Sequence, residues 1–174
     1  MHKVYLETER LTLRYMTRQD LDELKSMLQD IEVMYAWEYK FSDDEVQQWV
    51  DKNLKLYEKH DMGYFIAEDK ISGKIVGQAA LMPDVIQNKK YFEIGYILKK
   101  QFWHNGYATE CARALAEYAF NTLNLSEVIF EIPPENISSI RVAQRLGAKP
   151  EGKFIKNVKD KNMVHLIYKL YKHT

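Results

Sequence analysis

The sequence holds a single cysteine, Cys111, so no disulfide can form within the chain, which fits a reducing compartment. No apolar run approaches the ~20 residues that a membrane helix needs. The opening segment, Met1–Arg10, lacks the long apolar stretch of a signal peptide. Neither sign of charge is in excess, with 25 Lys and Arg against 25 Asp and Glu. That balance gives no support for nucleic acid or an anionic membrane as the main partner, because both call for a basic surface. The five histidines, His2, His60, His104, His165 and His173, are scattered without metal-ligand spacing. No repeat, linker or low-complexity segment interrupts the chain. The expectation is one cytoplasmic domain over residues 1–174, with 46% hydrophobic residues to build a core.

Local patterns order the elements. Arg10–Tyr15 alternates as a strand. Thr17 caps a helix, with Asp20 as acidic partner and Leu21, Leu24, Met27 and Leu28 as its apolar stripe. Ser42 and Glu45 form a capping box for a second helix carrying Val46, Trp49, Val50, Leu54 and Tyr57. Tyr64–Glu68 and Lys74–Leu81 read as a hairpin, and Tyr91–Leu98 as a third strand beside them. A third helix follows, with Ala108, Cys111, Ala112, Leu115, Ala116 and Ala119 at helical spacing. Ser126–Ile132 is a strand halted by Pro133 and Pro134. Asn136 caps a fourth helix that ends at Gly147. Lys153–Lys159 and Met163–Tyr171 close the chain as strands that turn at Asp160–Asn162. The fold class is α/β (α+β), with a mixed, mostly antiparallel seven-stranded sheet and about four helices.

The segment Trp103–Thr109 joins a strand to a helix start through a turn containing Gly106. A helix N-terminus offers unpaired N–H groups and a favourable dipole to an anion, so the segment suggests a phosphate-bearing cofactor. No Gly-Lys-Ser/Thr follows, which excludes a P-loop, and one glycine is too few for a dinucleotide fingerprint. Read alone, the segment is equally compatible with an ordinary strand–helix turn.

Three separated motifs together carry a resemblance. Glu93–Leu98 followed by Trp103–Glu110 resembles the acetyl-CoA-binding motif of the GNAT N-acetyltransferase superfamily. Asn136–Ser139 with Arg145–Gly152 is similar to the Asn-x-x-Ser…Leu-Gly-Phe…Glu-Gly segment of its RimJ/RimL-type branch, the ribosomal-protein N-terminal acetyltransferases. Leu6–Arg14 resembles the start of that branch. Two positions depart from the pattern: His104 stands where the loop usually has its first glycine, and Ala148 where the branch often has Phe.

The resemblance implies a GNAT fold whose sheet splays at the cofactor, with a bulge in the Glu93 strand. It implies acetyl-CoA as cosubstrate, its pyrophosphate on the amides of Trp103, His104, Asn105, Gly106, Tyr107, Ala108 and Thr109. The pantetheine arm would pair with the backbone of Ile97 and Lys99, and an N–H around Ile97 would hold the oxyanion. Asn136 would touch the arm and Arg141 the phosphates. His104 would either crowd the pyrophosphate or add a donor to it. Glu93 is the first choice of base for the attacking amine, a solvated strand glutamate being the plainer reading. Ser139 is a candidate proton donor to the leaving thiolate, against a helix hydroxyl bonded to backbone; Tyr96 and Tyr168 are weaker alternatives. Tyr35, Trp37, Glu38 and Tyr39 would wall the amine acceptor by cation–π contact and charge, or else simply pack on the core. Cys111 reads as a core residue. The implied activity is acetyl transfer to a primary amine, a protein or peptide N-terminus first. A small-molecule amine acetyltransferase (aminoglycoside or polyamine type) and a non-catalytic acyl-CoA sensor are the alternatives. Homodimers are frequent in the branch, which leaves that assembly open.

Overall fold

A computed structural model describes residues 1–173. Its strands are β1 (Val4–Glu7), β2 (Leu11–Tyr15), β3 (Gly63–Asp69), β4 (Ile75–Ile86), β5 (Lys89–Leu98), β6 (Glu127–Ile132), β7 (Lys149–Val158) and β8 (Lys161–Tyr171). Its helices are α1 (Leu21–Leu28), α2 (Asp43–His60), α3 (Tyr107–Asn121) and α4 (Ile137–Leu146). The strands form one sheet in the order β1-β2-β3-β4-β5-β6-β8-β7. Every neighbouring pair is antiparallel except β5 and β6, which run parallel and register at Glu93↔Ile129.

Alternation along the central strands sends side chains to two layers. Phe65, Ala79, Leu81 and Ile94 pack with Cys111, Ala112, Leu115 and Ala116 of α3 and Val142 and Ala143 of α4. Their chain neighbours Ile66 and Ala80 pack, with Ile97, under Leu24, Met27 and Leu28 of α1 and Val46, Trp49 and Val50 of α2. The small residues on the buried face of α3 let that helix lie close to the sheet. Burial also pushes the Cys111 thiol up to about 12, so it stays an inert core group.

The four expected helices form, and the seven expected strands are joined by an eighth, β1. It is a four-residue edge strand without clear alternation, held by Tyr5 stacked on Phe65 with ring centroids 3.9 Å apart. β4 also runs five residues beyond Leu81, through Pro83. β3 ends opposite Leu81, so Pro83 lies on an open edge, where its missing N–H breaks no ladder bond. The final turn sits at Lys159 and Asp160, both with positive φ, one residue before the expected place.

Candidate active site

The loop after β5 is shaped by two left-handed residues. His104 has φ +62° and Gly106, the N-cap of α3, has φ +78°. The first of these accounts for the usual glycine at position 104, since only glycine adopts that backbone without cost. Among the described residues, the backbone N–H groups of His104 to Thr109 meet no protein acceptor. They converge at the positive end of a fifteen-residue helix, an arrangement that fits a phosphate. The Trp103 amide, expected among them, is taken: it donates to the Lys100 carbonyl at 3.1 Å, and its indole N–H donates to the Leu98 carbonyl at 3.0 Å.

The β1–β2 turn clamps this loop. The Arg10 guanidinium lies over the Tyr107 ring, donates to the Asn105 carbonyl at 2.9 Å and pairs with Glu110 at 2.7 Å. Glu110 also accepts from the Thr8 hydroxyl and the Arg10 N–H. A groove of about 940 Å³ runs along the loop, with Arg113, Arg141 and Arg145 on its walls. Arg141 was expected there. Arg10, Arg113 and Arg145 were not, although Arg141 and Arg145 share an i, i+4 spacing that marks one helix face.

The register of β5 corrects the two backbone contacts assigned to Ile97 and Lys99. Lys99 N–H donates to Val76 O at 3.0 Å while Leu98 stands opposite Gly77. Gln78↔Ile97 is therefore the hydrogen-bonded pair, and both main-chain groups of Ile97 face β4. The Lys99 carbonyl is taken by Phe102 N–H, and its ammonium pairs with Glu23. The groups that face the gap toward β6 belong to Tyr96 and Leu98. The splay is present, but the β4–β5 register runs from Gly77↔Leu98 to Ile86↔Lys89 without a shift. The bulge implied by the resemblance is thus absent from that ladder, and strand divergence alone exposes the backbone. Gly77 permits the close approach there, since a Cβ would stand 2.4 Å from the Ile97 carbonyl oxygen.

On the α1/α2 side of the sheet lies a cavity of about 220 Å³. Glu93 lines it and is 8% exposed, so it is not a solvated strand residue. Asp84 of β4 and Glu131 of β6 converge on it, carboxylate oxygens of all three lying within 4.8 Å of one another. Lys156 of β7 pairs with Glu131 at 3.3 Å. Burial is the largest cause raising the Glu93 carboxyl above its usual range, with Lys156 opposing. Glu131 is pushed up to about 10, first by burial and then by Glu93. The sequence reading missed Asp84, Glu131 and Lys156, because they come from three strands and share no local spacing.

The aromatic segment divides. Trp37 lines both the cavity and the groove, packed edge-on against Trp49 and Phe41. Tyr35 lines the groove, and its hydroxyl donates to Asn136 Oδ1 at 2.7 Å. Glu38 and Tyr39, expected on the acceptor wall, turn away from it. Glu38 adopts φ +61° at the end of the Tyr35–Trp37 turn and pairs with Lys161. Tyr39 stacks on Phe41 under the Lys159 ammonium. Asn136 caps α4, accepting from the Ser139 N–H at 3.3 Å. Asn136, Ser139, Tyr96 and Trp37 border both the cavity and the groove, so a ligand in one meets a ligand in the other beside them. Tyr96 donates its hydroxyl to the Ser139 carbonyl at 3.1 Å. Tyr168 is buried in the core and borders neither space.

This pairing of an anion-binding helix start with a carboxylate-lined cavity across a splayed sheet matches a known class. The chain belongs to the acetyltransferase (GNAT) domain family, matched over residues 10–149. It is an acetyl-CoA-dependent N-acetyltransferase. YkkB of Bacillus subtilis is 36% identical over 146 residues, covering 83% of this chain and 85% of that one. The N-acetyltransferase YnaD of the same species is 30% identical over 154 residues, covering 88% and 87%. A GNAT-family acetyltransferase from Bacillus anthracis superposes with a TM-score of 0.81 at 24% identity, covering 95% and 97%. Two further structures of the same fold hold coenzyme A. One is RimL, a ribosomal L7/L12 α-N-protein acetyltransferase (TM-score 0.79, 16% identity, 97% and 98% covered). The other is spermidine N-acetyltransferase from Vibrio cholerae, with spermine also bound (0.71, 22%, 91% and 94%).

Proposed function

We propose that this enzyme acetylates the α-amine of a protein or peptide N-terminus, as the ribosomal-protein branch does, by direct attack in a ternary complex. The observation that carries the reading is Glu93, buried on the strand that borders the splay and lining the cavity that opens toward the cofactor groove. An amine must be neutral to attack. Reference values are ~10.4 for lysine and ~7.7–8.0 for an α-amine, a few-hundred-fold difference in neutral fraction at pH 7. A single carboxylate, even one raised by burial, therefore deprotonates an α-amine with far less help.

In this reading the pyrophosphate of acetyl-CoA rests on the N–H groups of His104 to Thr109, with Arg113, Arg141 and Arg145 beside it. The pantetheine arm pairs with the Tyr96 carbonyl and the Leu98 N–H, the Leu98 carbonyl being held by Trp103, and the Tyr96 N–H is aimed at the oxyanion. Glu93 takes the proton of the amine, the amine nitrogen bonds to the thioester carbon, and the C–S bond breaks. Ser139, at the meeting point of the two spaces, gives its proton to the thiolate and takes the remaining excess proton of the acylated nitrogen, so its hydroxyl is restored. Trp37 and Tyr35 hold the acceptor where it enters.

One observation favours a second acceptor class. The cavity is small, and two carboxyl groups line it with a third beside them, which suits a small cationic amine. Thiol release from acetyl-CoA, measured against peptides of varied N-termini, polyamines and aminoglycosides, decides between them. A peptide with the highest kcat/KM supports the first reading. A polyamine or aminoglycoside ahead of every peptide overturns it.

A further inference from the structure

The cavity contains a buried carboxyl group that the proposed chemistry does not use. Glu131 faces Glu93 across the β5–β6 gap, its side chain is 1% exposed, and its Oε1 accepts from Lys156 at 3.3 Å. Its Oε2 is buried and meets no donor among the described residues. An acceptor oxygen in that position, beside the carboxyl groups of Glu93 and Asp84, gains a partner only when the cluster holds a proton. Two carboxyl groups this close and this buried do not both ionise.

We propose that Glu131 is a positioning residue, a protonated carboxyl group whose O–H donates to Glu93 and fixes the carboxylate that receives the acceptor's proton. The inference rests on Glu93 as the base. It gives the pair unequal roles: Glu131 keeps its proton throughout, and Glu93 alone exchanges one with the amine. Burial and the facing carboxylates hold the Glu131 proton to about 10. Lys156 favours the ionised form of both carboxyl groups and Asp84 the neutral form of both; at Glu131 burial and Glu93 outweigh the lysine. Lys52 of α2 lies on the rim. His165 of β8 is held below its usual value by burial, and Tyr64 of β3 far above its own, so both stay neutral at pH 7.

The test is the acid limb of the kcat profile, where activity falls as Glu93 becomes protonated. Glu131→Gln keeps a donor of the same shape without a charge, and its limb should stay where the parent enzyme's lies. Glu131→Leu removes the donor, so the limb should move up by about one pH unit, with the KM for acetyl-CoA unchanged. Equal damage from both variants would overturn the proposal by making Glu131 a charged participant. An unmoved limb in Glu131→Leu would overturn it by making Glu131 a spectator. Should either variant fail to fold, the carboxyl titration of the unaltered protein, followed by NMR with ¹³C-labelled glutamate, decides. A Glu131 carboxyl still protonated at pH 8 supports the proposal, and one that titrates in the ordinary range overturns it. That titration needs no acceptor, so it still reads the carboxyl pair if no amine proves to be a substrate and the functional reading fails.

Discussion

The groove and the cavity meet at Trp37, Tyr96, Asn136 and Ser139, yet they are built from different material. The groove's phosphate cradle is made of main chain, with arginines only on the walls: six N–H groups from consecutive residues, presented by two left-handed residues and one helix start. The cavity is made of side chains: carboxyl groups from β5 and β6, ammonium groups from β7 and α2 and indoles from the α1–α2 link and α2. Main-chain donors are insensitive to side-chain identity so long as the backbone can take the required φ. Buried side-chain chemistry changes with every atom. Such a division lets one fold keep its cosubstrate while its acceptor varies. The contrast between RimL and the spermidine enzyme, both holding coenzyme A on this fold, fits that view.

The sharpest way to break the comparison is to alter one side chain of the cavity and read both sites. Glu93→Gln should lower kcat by about 10²–10⁴-fold at neutral pH, the range of a lost general base. Its affinity for acetyl-CoA, measured by titration, should be unchanged. Parent-level turnover would remove Glu93 from the chemistry. The matching change in the groove is Gly106→Val, which places a β-branched residue at φ +78°. The strain of about 1–3 kcal/mol distorts the helix start and should weaken acetyl-CoA binding about 5- to 150-fold. Turnover at saturating acetyl-CoA should change far less, and unchanged affinity would refute the placement of the phosphate. Trp37→Ala tests the boundary, because Trp37 touches both spaces. Its acceptor KM should rise several-fold and its acetyl-CoA KM should hold, and the reverse would move Trp37 into the groove.

The same division governs what could be read from the chain. The groove's anion-binding floor lies within residues 96–113, so its strand, turn glycine and helix stripe were visible as a local pattern. What escaped was its outer support. Arg10 and Glu110 are 100 residues apart, and only the fold brings them together. The cavity was barely legible: Glu93 stood out through the motif around it, whereas Asp84, Glu131 and Lys156 each look like ordinary strand residues. The errors have the same origin. Glu38 and Tyr39 were grouped with Trp37 by adjacency, and a single left-handed residue turns them toward the β7–β8 hairpin. Ile97 was chosen for its place in the motif, but hydrogen-bond parity, which depends on the partner strand, turns the main chain of its neighbours Tyr96 and Leu98 toward the gap.

The smallest expected effect falls on the residue that departs most from the family pattern. His104 is exposed, its backbone is left-handed, and glycine would take that conformation without strain. If the groove is made of main chain, the imidazole is dispensable and His104→Gly should be neutral or mildly favourable. Relief of about 1 kcal/mol of backbone strain opposes the greater chain entropy of glycine, about 0.4–1 kcal/mol. Acetyl-CoA affinity should then stay within about threefold of the parent, with kcat unchanged. A tenfold loss would mean that the imidazole itself donates to a phosphate, and the groove would share the side-chain chemistry of the cavity. His104→Ala separates the two contributions, since it removes the ring but keeps the strained backbone. Equal affinities for the Gly and Ala variants would assign any loss to the ring, and a weaker Ala variant would assign it to the turn.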